Sequence, residues 1–270
     1  MTIDELVEFA KKIRKNILFA AFHAGTNSAH IGGALSISDI MAVLYGAIMN
    51  VNSKNPLDDN RDRFILSKGH ACLALYSALV EKNFLKKDEL MSFEKDNSFL
   101  LGHPIINKKL GIEFSTGSLG MGLSLGLGTS IAAKKKNKQY NTYVILGDGE
   151  CNEGSVWESI MAASHLKLNN LKIIVDKNNF QQTGENSTIM NLGSLSKKFT
   201  SFGWEVEEID GHNVNDIFDY FSKKNTTKKP SALIANTVKG KGISFFENDN
   251  NWHHSVLSKS MYEKALEEIK

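Results

Sequence analysis

Tyr143-Val-Ile-Leu-Gly-Asp-Gly-Glu150 and, further on, Leu171-Lys-Ile-Ile-Val-Asp-Lys-Asn-Asn-Phe180 decide how this chain is read. Each is an apolar, largely β-branched run that stops at an oxygen-bearing residue, the pattern of a buried parallel strand ending at a site. Between them, residues 153–168 have the pattern of an amphipathic helix, so the whole is one βαβ unit. Adjacent parallel strands carry their C-terminal ends side by side, which puts Asp148 and Asn178 about one strand spacing apart, roughly 5 Å. A carboxylate, an amide oxygen and a nearby main-chain carbonyl are hard ligands that suit Mg²⁺ or Ca²⁺. Gly147 and Gly149 flank the Asp and let backbone approach a phosphate closely. The joint reading is a magnesium ion holding a diphosphate at a sheet edge. The competing reading of Gly-Asp-Gly alone is an ordinary turn.

A chain of 270 residues, 41% hydrophobic and 23% charged, has the composition of a soluble globular protein large enough for a substantial core. Its net charge of +2 gives no reason to expect a nucleic-acid partner. The run Lys134-Lys-Lys-Asn-Lys138 reads as a solvated helix end, where cations complement the helix dipole. Cys72 and Cys151 have no paired spacing, which favours a reducing cytoplasm and argues against zinc. The N-terminus is acidic and amphipathic, unlike a secretory leader. Residues 114–133 carry no charge and contain Gly122-x-x-x-Gly126, a membrane-helix pattern. Their Gly and Ser content instead favours a glycine-rich loop entering a small-residue helix packed on the sheet, so no membrane is expected.

Outside the central unit, the 3.6-residue period predicts a helix over 3–22, and Ser36 or Ser38 is placed to cap a helix over 39–48. Residues 58–63 read as a charged surface loop, 64–67 as a short strand, and 71–82 and 88–94 as helices. Further along, 195–202 and 215–222 read as helices and 204–209 and 231–236 as strands. Helices and strands alternate without repeats or a long linker. This predicts one α/β domain over 1–270, a doubly wound, mostly parallel sheet with helices on both faces. His30, His70, His103 and His253 each fall in turns or after strands, where they are either solvent-exposed or gathered at the crevice outside the strand C-termini. Gathered there, they would hydrogen-bond phosphate and sugar hydroxyls. His165 and His212 read as structural.

These residues fall into a known pattern. The chain resembles the N-terminal, thiamine-diphosphate-binding half of transketolase, as found in the short subunit of split transketolases. The matching runs are Ser28-Ala-His-Ile-Gly-Gly33, Asp62-Arg-Phe-Ile-Leu-Ser-Lys-Gly-His70, Gly102-His-Pro104, Ser115-Thr-Gly-Ser-Leu-Gly120, Gly147-Asp-Gly-Glu-Cys-Asn-Glu-Gly154, Trp157-Glu158, Asp176-Lys-Asn178 and Lys239-Gly-Lys-Gly242. The resemblance implies thiamine diphosphate held through Mg²⁺, with Asp148, Asn178 and the Phe180 carbonyl as metal ligands. It also implies Gly149, Glu150, His70, His253 and Lys239 around the cofactor, and Gly117 and Leu119 along the thiazolium. His30, His70, His103 and His253 would hold sugar hydroxyls and move protons, while Glu153 and Glu158 match carboxylates that link two active sites across a dimer.

The implied activity is transfer of a two-carbon ketol unit between sugar phosphates. In this family the glutamate that activates the thiazolium belongs to a pyrimidine-binding domain. The resemblance therefore implies a separate C-terminal, pyrimidine-domain subunit, an α2β2 heterotetramer, and no activity for this chain alone. Related readings are a thiamine-diphosphate carboligase acting on a modified or nucleotide-linked sugar, and a non-catalytic regulatory paralogue. Two positions depart from the family pattern. Ile31 follows His30 where Pro is usual, and His254 follows His253 where Gly is usual. Both lie on the substrate side, so they bear on the identity of the sugar. The imidazole at 254 either accommodates an unusual sugar or points to solvent.

Overall fold

The computed structural model describes residues 1–223 and 226–269. Among them, five strands form one sheet: β1 (Arg63–Leu66), β2 (Thr142–Gly147), β3 (Leu171–Lys177), β4 (Glu205–Asp210) and β5 (Ser231–Asn236). Their order is β1-β2-β3-β5-β4 and every pairing is parallel. Gly147 registers with Asp176, so the chain leaves β2 and β3 at neighbouring points. The helices are α1 (Ile3–Ala24), α2 (Gly32–Leu35), α3 (Ser38–Val43), α4 (Cys72–Glu81), α5 (Met121–Lys135), α6 (Gly154–His165), α7 (Asn186–Ile189), α8 (Leu195–Ser201), α9 (Val214–Ser222) and α10 (Lys259–Glu268). The fold is the expected α/β one.

The two-residue period of a strand divides the core. Phe64, Leu66, Tyr143, Ile145, Ile174 and Leu233 pack on one face with α1, α3, α4, α9 and α10. Ile65, Val144, Leu146, Ile173, Val175 and Ile234 pack on the other with α5, α6 and α8. Because both faces are covered, the central strands read as unbroken apolar runs. Edge strand β4 is only partly buried. α1 opens with a capping box: Glu5 N–H donates to Thr2 Oγ1 at 3.2 Å and Thr2 N–H to the Glu5 carboxylate at 2.7 Å. In α5, Gly126 lies against the sheet so closely that a Cβ would come within 2.5 Å of a Val144 methyl. The small-residue spacing thus serves helix-on-sheet packing. Among the described residues no helix is long and apolar enough to cross a membrane.

Several local expectations need correction. Residues 88–94 are not an α-helix; 3-10 turns run over Lys87–Ser92. The helix starting at Ser38 widens into a π-turn at Leu44–Ile48. Neither Ser36 nor Ser38 caps it, because the Ser36 hydroxyl is drawn to Asp176 Oδ2 at 2.8 Å. The charged loop at 58–63 is not wholly superficial: Arg61 is buried on Glu113, and Asp62 accepts from Asn50 and Asn141 N–H groups at 2.8 and 2.7 Å.

A buried polar brace ties α1 to the chain leaving β5. Arg14 donates to Asp39 at 3.0 and 2.5 Å and to the Lys241 carbonyl at 3.2 Å. His212 Nδ1 bonds Asp39 at 2.8 Å, and its Nε2 accepts from Val238 N–H at 2.8 Å. Burial alone would raise the Asp39 carboxyl, but Arg14 and His212 outweigh it and hold its pKa below the ordinary value of 3.8. Such a group contributes stability above its unfolded pKa and loses it as pH falls through the lower folded value. Asp39→Asn is therefore expected to cost about 3–5 kcal/mol at neutral pH, since it strands Arg14 without its partner. The deficit relative to the unsubstituted protein should shrink on acidification, read from denaturant midpoints between pH 7 and pH 3. A constant deficit would contradict the assignment.

Candidate active site

Loops leaving the C-terminal ends of β1, β2, β3 and β5 meet at one edge of the sheet, the usual place for a ligand crevice in such a fold. At its base lies Asp176, a fully buried carboxylate inside β3. It receives Lys68 and Thr237 through short contacts, Ser36 Oγ at 2.8 Å and Asn178 Nδ2 at 2.9 Å. Burial opposes ionisation, but the Lys68 ammonium and these donors bring the Asp176 pKa below the usual carboxylate range. By taking the Asn178 N–H₂ group, Asp176 aims the amide oxygen of Asn178 the other way. Sequence marks Asp176 only as the polar end of an apolar run; its buried role is not visible there, because Ser36, Lys68 and Thr237 lie far away in the chain.

Asp148 stands on the neighbouring strand end and is 5% exposed. The chain after β3 wraps around it: Asn179, at φ +66°, donates N–H to Asp148 Oδ2 at 2.7 Å, and Phe180 N–H donates to Asn178 Oδ1 at 3.0 Å. Gly149 N–H, expected to face a diphosphate, donates to Asp148 Oδ1 at 2.9 Å. Burial, reinforced by the Asp176 charge, pushes the Asp148 carboxyl up to about 6. A cation bound at this carboxylate would offset both effects. Gln181 Nε2, Asn186 Oδ1 and Asn152 Oδ1 are also buried and unpartnered. Among the described residues there is no group of three His, Cys, Asp or Glu able to hold a metal. One carboxylate, one amide oxygen and a main-chain carbonyl make a low-charge oxygen set, which fits Mg²⁺ completing its shell with substrate phosphate and water. The residues present fit the pair of Mg²⁺ and a diphosphate.

A cavity of about 500 Å³ opens beside this ridge. It is lined by His30, His70, His103, Gly117, Leu119, Asp148, Gly149, Glu150, Glu153, Asn178, Phe180 and His253, together with Lys68, Asn152 and Gln181. Of the residues singled out in sequence, Lys239, Glu158, Ile31 and His254 do not line it: Ile31 is buried in the core, and His254 lies just outside, against the His30 ring. Lys239 lies behind its wall, 2% exposed, with Nζ 3.0 Å from His253 Nδ1 and donating to Asn250 Oδ1 at 2.5 Å. Glu158 is an exposed residue of α6. Glu150 is buried and fully engaged, accepting from Ser67 Oγ, from Gly120 N–H at 2.9 Å and from Gly147 N–H at 3.0 Å. It therefore clamps the loop before α5 onto the ends of β1 and β2. Gly117, at φ +145°, lies so close to His103 that a Cβ would come within 2.8 Å of its ring. A second cavity, of about 650 Å³, borders the other side of Asp148, Asn178 and Phe180.

The histidines cluster. Ring centroids lie 5.5 Å apart for His30–His70, 5.7 Å for His30–His103, and 5.3 Å for both His30–His253 and His70–His253. Burial, then the neighbouring imidazoles and Lys239, lowers His30 to about 3. Burial and Lys239 lower His253 to about 4, while burial and Lys68 take His70 well below its ordinary value. His103 is lowered too, by burial first. Lys239, desolvated and repelled by Lys68, falls to about 8. At neutral pH the cavity therefore presents neutral imidazoles, each with one donor and one acceptor, suited to hydroxyl groups and to relaying protons.

A parallel α/β sheet with an oxygen-ligand site at two adjacent strand ends and a histidine-lined cavity defines a class of cofactor-dependent enzyme domain that grips a diphosphate through a metal. A family profile described as "Transketolase, thiamine diphosphate binding domain" matches residues 9–268. The chain is 41% identical over 270 residues to one subunit of the apulose-4-phosphate transketolase from Phocaeicola vulgatus, covering all of this chain and 95% of that protein. It is 37% identical over 241 residues to a 6-deoxy-6-sulfo-D-fructose transketolase subunit from a Clostridium species, covering 89% and 88%. A solved transketolase from Campylobacter jejuni superposes with a TM-score of 0.92 at 32% identity, over all of this chain and 43% of that one. The chain belongs to the transketolase family, as a thiamine diphosphate binding domain.

Proposed function

We propose that this chain is a single thiamine-diphosphate domain over 1–270 that supplies the metal- and diphosphate-binding half of an enzyme transferring a two-carbon ketol unit between sugars. The observation that carries the reading is the pairing of Asp148 and Asn178 at adjacent strand ends beside a cluster of neutral imidazoles. Asp148, the Asn178 amide oxygen and the Phe180 carbonyl would hold Mg²⁺. Gly149 N–H, His70 and His253 would donate to the diphosphate, with Lys239 behind them on His253, Gly117 and Leu119 along the thiazolium and Glu150 bracing the loop that carries them. When bound, thiamine diphosphate supplies the electron sink for carbon–carbon cleavage. The chain's own contribution is to exclude water and to orient the sugar, with His30, His70, His103 and His253 holding its hydroxyls and moving protons among them.

Two relatives are named for apulose 4-phosphate and for a sulfo-fructose, which supports a phosphorylated or otherwise modified ketose as substrate. Because those relatives are themselves named as transketolase subunits, a separate partner subunit is supported; a pyrimidine domain on that partner and an α2β2 assembly are proposed with it. Glu153 and the outward-facing Glu158 would lie on the side where two such halves meet. Unpaired, buried Cys72 and Cys151 support a cytoplasmic location. The test is co-purification with the product of a neighbouring gene, then assay of each chain and of the mixture against ketose phosphates and nucleotide sugars. Ketol transfer is expected from the mixture only. Equal turnover by the pure chain on xylulose 5-phosphate would overturn the two-subunit reading.

A further inference from the structure

We propose that His254, exposed just outside the cavity against the ring of His30, is a specificity-determining residue, contacting the hydroxylated carbon chain of a ketose phosphate beyond the carbons that His30 and His103 hold. The proposal rests on the ketol-transfer reading above. Although exposed, the His254 side chain is held in place. Its ring lies 4.3 Å from that of His30, tilted by 43°. The Ser28 hydroxyl donates to the Asn27 carbonyl at 2.6 Å, which leaves its lone pairs to accept from the His254 ring edge, 3.0 Å away at Nε2 and 3.4 Å at Nδ1. The backbones of the two segments are stitched together: Ala29 N–H donates to the Ser255 carbonyl and Ser255 N–H to the Ala29 carbonyl, each at 3.0 Å. Ser28 occupies the left-handed region at φ +59°, a conformation that costs a non-glycine residue energy and persists where its surroundings over-determine it.

The groups form a row. Lys239 Nζ lies 3.0 Å from His253, His253 lies 5.3 Å from His30, and His30 lies 4.3 Å from His254. The row begins at a buried cation beside the diphosphate donors and ends at an exposed imidazole. His30 and His253 are half-buried, so His254 is its outermost member. A donor long enough to reach past His30 meets His254 next, whereas a three-carbon donor stops short. This is also the position at which the chain carries an imidazole where the family pattern has glycine. A residue with no side chain offers neither the ring over His30 nor the contact with Ser28.

The test uses the chain assembled with its pyrimidine-domain partner, with hydroxypyruvate as the short donor and xylulose 5-phosphate and fructose 6-phosphate as long ones. His254→Gly is expected to raise KM about tenfold for the long donor that the unsubstituted enzyme prefers, with kcat changed less than about twofold, and to leave hydroxypyruvate kinetics as they were. His254→Asn keeps a hydrogen-bonding group next to Ser28 and should recover most of the loss. Equal losses on short and long donors would mean a merely structural role, and no loss on either would remove His254 from the substrate; both overturn the proposal. So does an enzyme that uses hydroxypyruvate but neither ketose phosphate. Calorimetric titration of thiamine diphosphate and Mg²⁺ on the same samples separates the levels: failure of the unsubstituted enzyme to bind them overturns the functional reading and this inference with it.

Discussion

Asp148→Asn is expected to weaken Mg²⁺-dependent binding of thiamine diphosphate by at least about 100-fold, because the variant removes the one carboxylate from an oxygen set whose affinity scales with ligand charge. The fold should survive. Asp148 is buried beside Asp176, with its carboxyl already pushed up to about 6. Without a cation, ionising it near pH 7 opposes folding, and the amide removes that repulsion. Against this, the amide offers one acceptor oxygen where the carboxylate accepts from both Gly149 and Asn179. The two effects oppose each other, so the ligand-free variant should melt within a few degrees of the unsubstituted protein. The measurement is a pair of melting curves for each protein, with and without Mg²⁺ and cofactor. The unsubstituted chain should gain stability with ligand, by mass action, and the variant should not. Equal ligand-induced shifts would remove Asp148 from the metal site. An unfolded variant would show that its carboxylate serves the fold and would sink the argument about repulsion.

What the sequence made legible was local. Buried parallel strands announce themselves as apolar runs, and Asp148 and Asn178 stand where such runs stop, so β2, β3 and the ridge between them could be read from spacing alone. The four loop histidines could be named, and they do converge. The residues that hold the ridge in place were hidden, because their partners lie far away in the chain. Asp176 takes a proton donor from Ser36, 140 residues distant, and pairs with Lys68 across 108. Glu150 could be named as a residue near the cofactor, and it does line the cavity, but its brace to Ser67, Gly120 and Gly147 could not be read locally. Ser36 looked like a helix cap for the same reason: a hydroxyl ahead of a helix has a local use, and only the fold reveals a buried carboxylate that competes for it. α10 escaped notice because its sequence is polar on average, with Ala265 as its one fully buried residue and Tyr262 and Leu266 only partly buried against the core.

Lys68→Met is expected to be among the most damaging single changes in the chain. Lys68 is 1% exposed and Asp176 fully buried, and the ammonium also donates to the Gly33 carbonyl at 2.9 Å. Methionine matches the length of the lysine stem, so packing is largely kept and the loss is electrostatic. Removing one member of a buried pair leaves the other desolvated and uncompensated, which costs about 3–5 kcal/mol. Three neutral donors remain on Asp176, from Ser36, Thr237 and Asn178, and they set the lower end of that range. Since typical domains hold only about 5–15 kcal/mol in all, the variant should lose a large part of its stability. Adding Asp176→Asn to Lys68→Met removes the stranded charge while keeping an acceptor oxygen for Ser36 or Thr237. The double variant should therefore be at least about 1 kcal/mol more stable than the sum of the single losses, read as a coupling energy from urea denaturation. Additive losses would show that the pair is not a unit. The same variants separate scaffold from site: Lys68→Met should disorder the Asn178 amide that Asp176 orients, so the double variant should regain stability ahead of Mg²⁺ affinity.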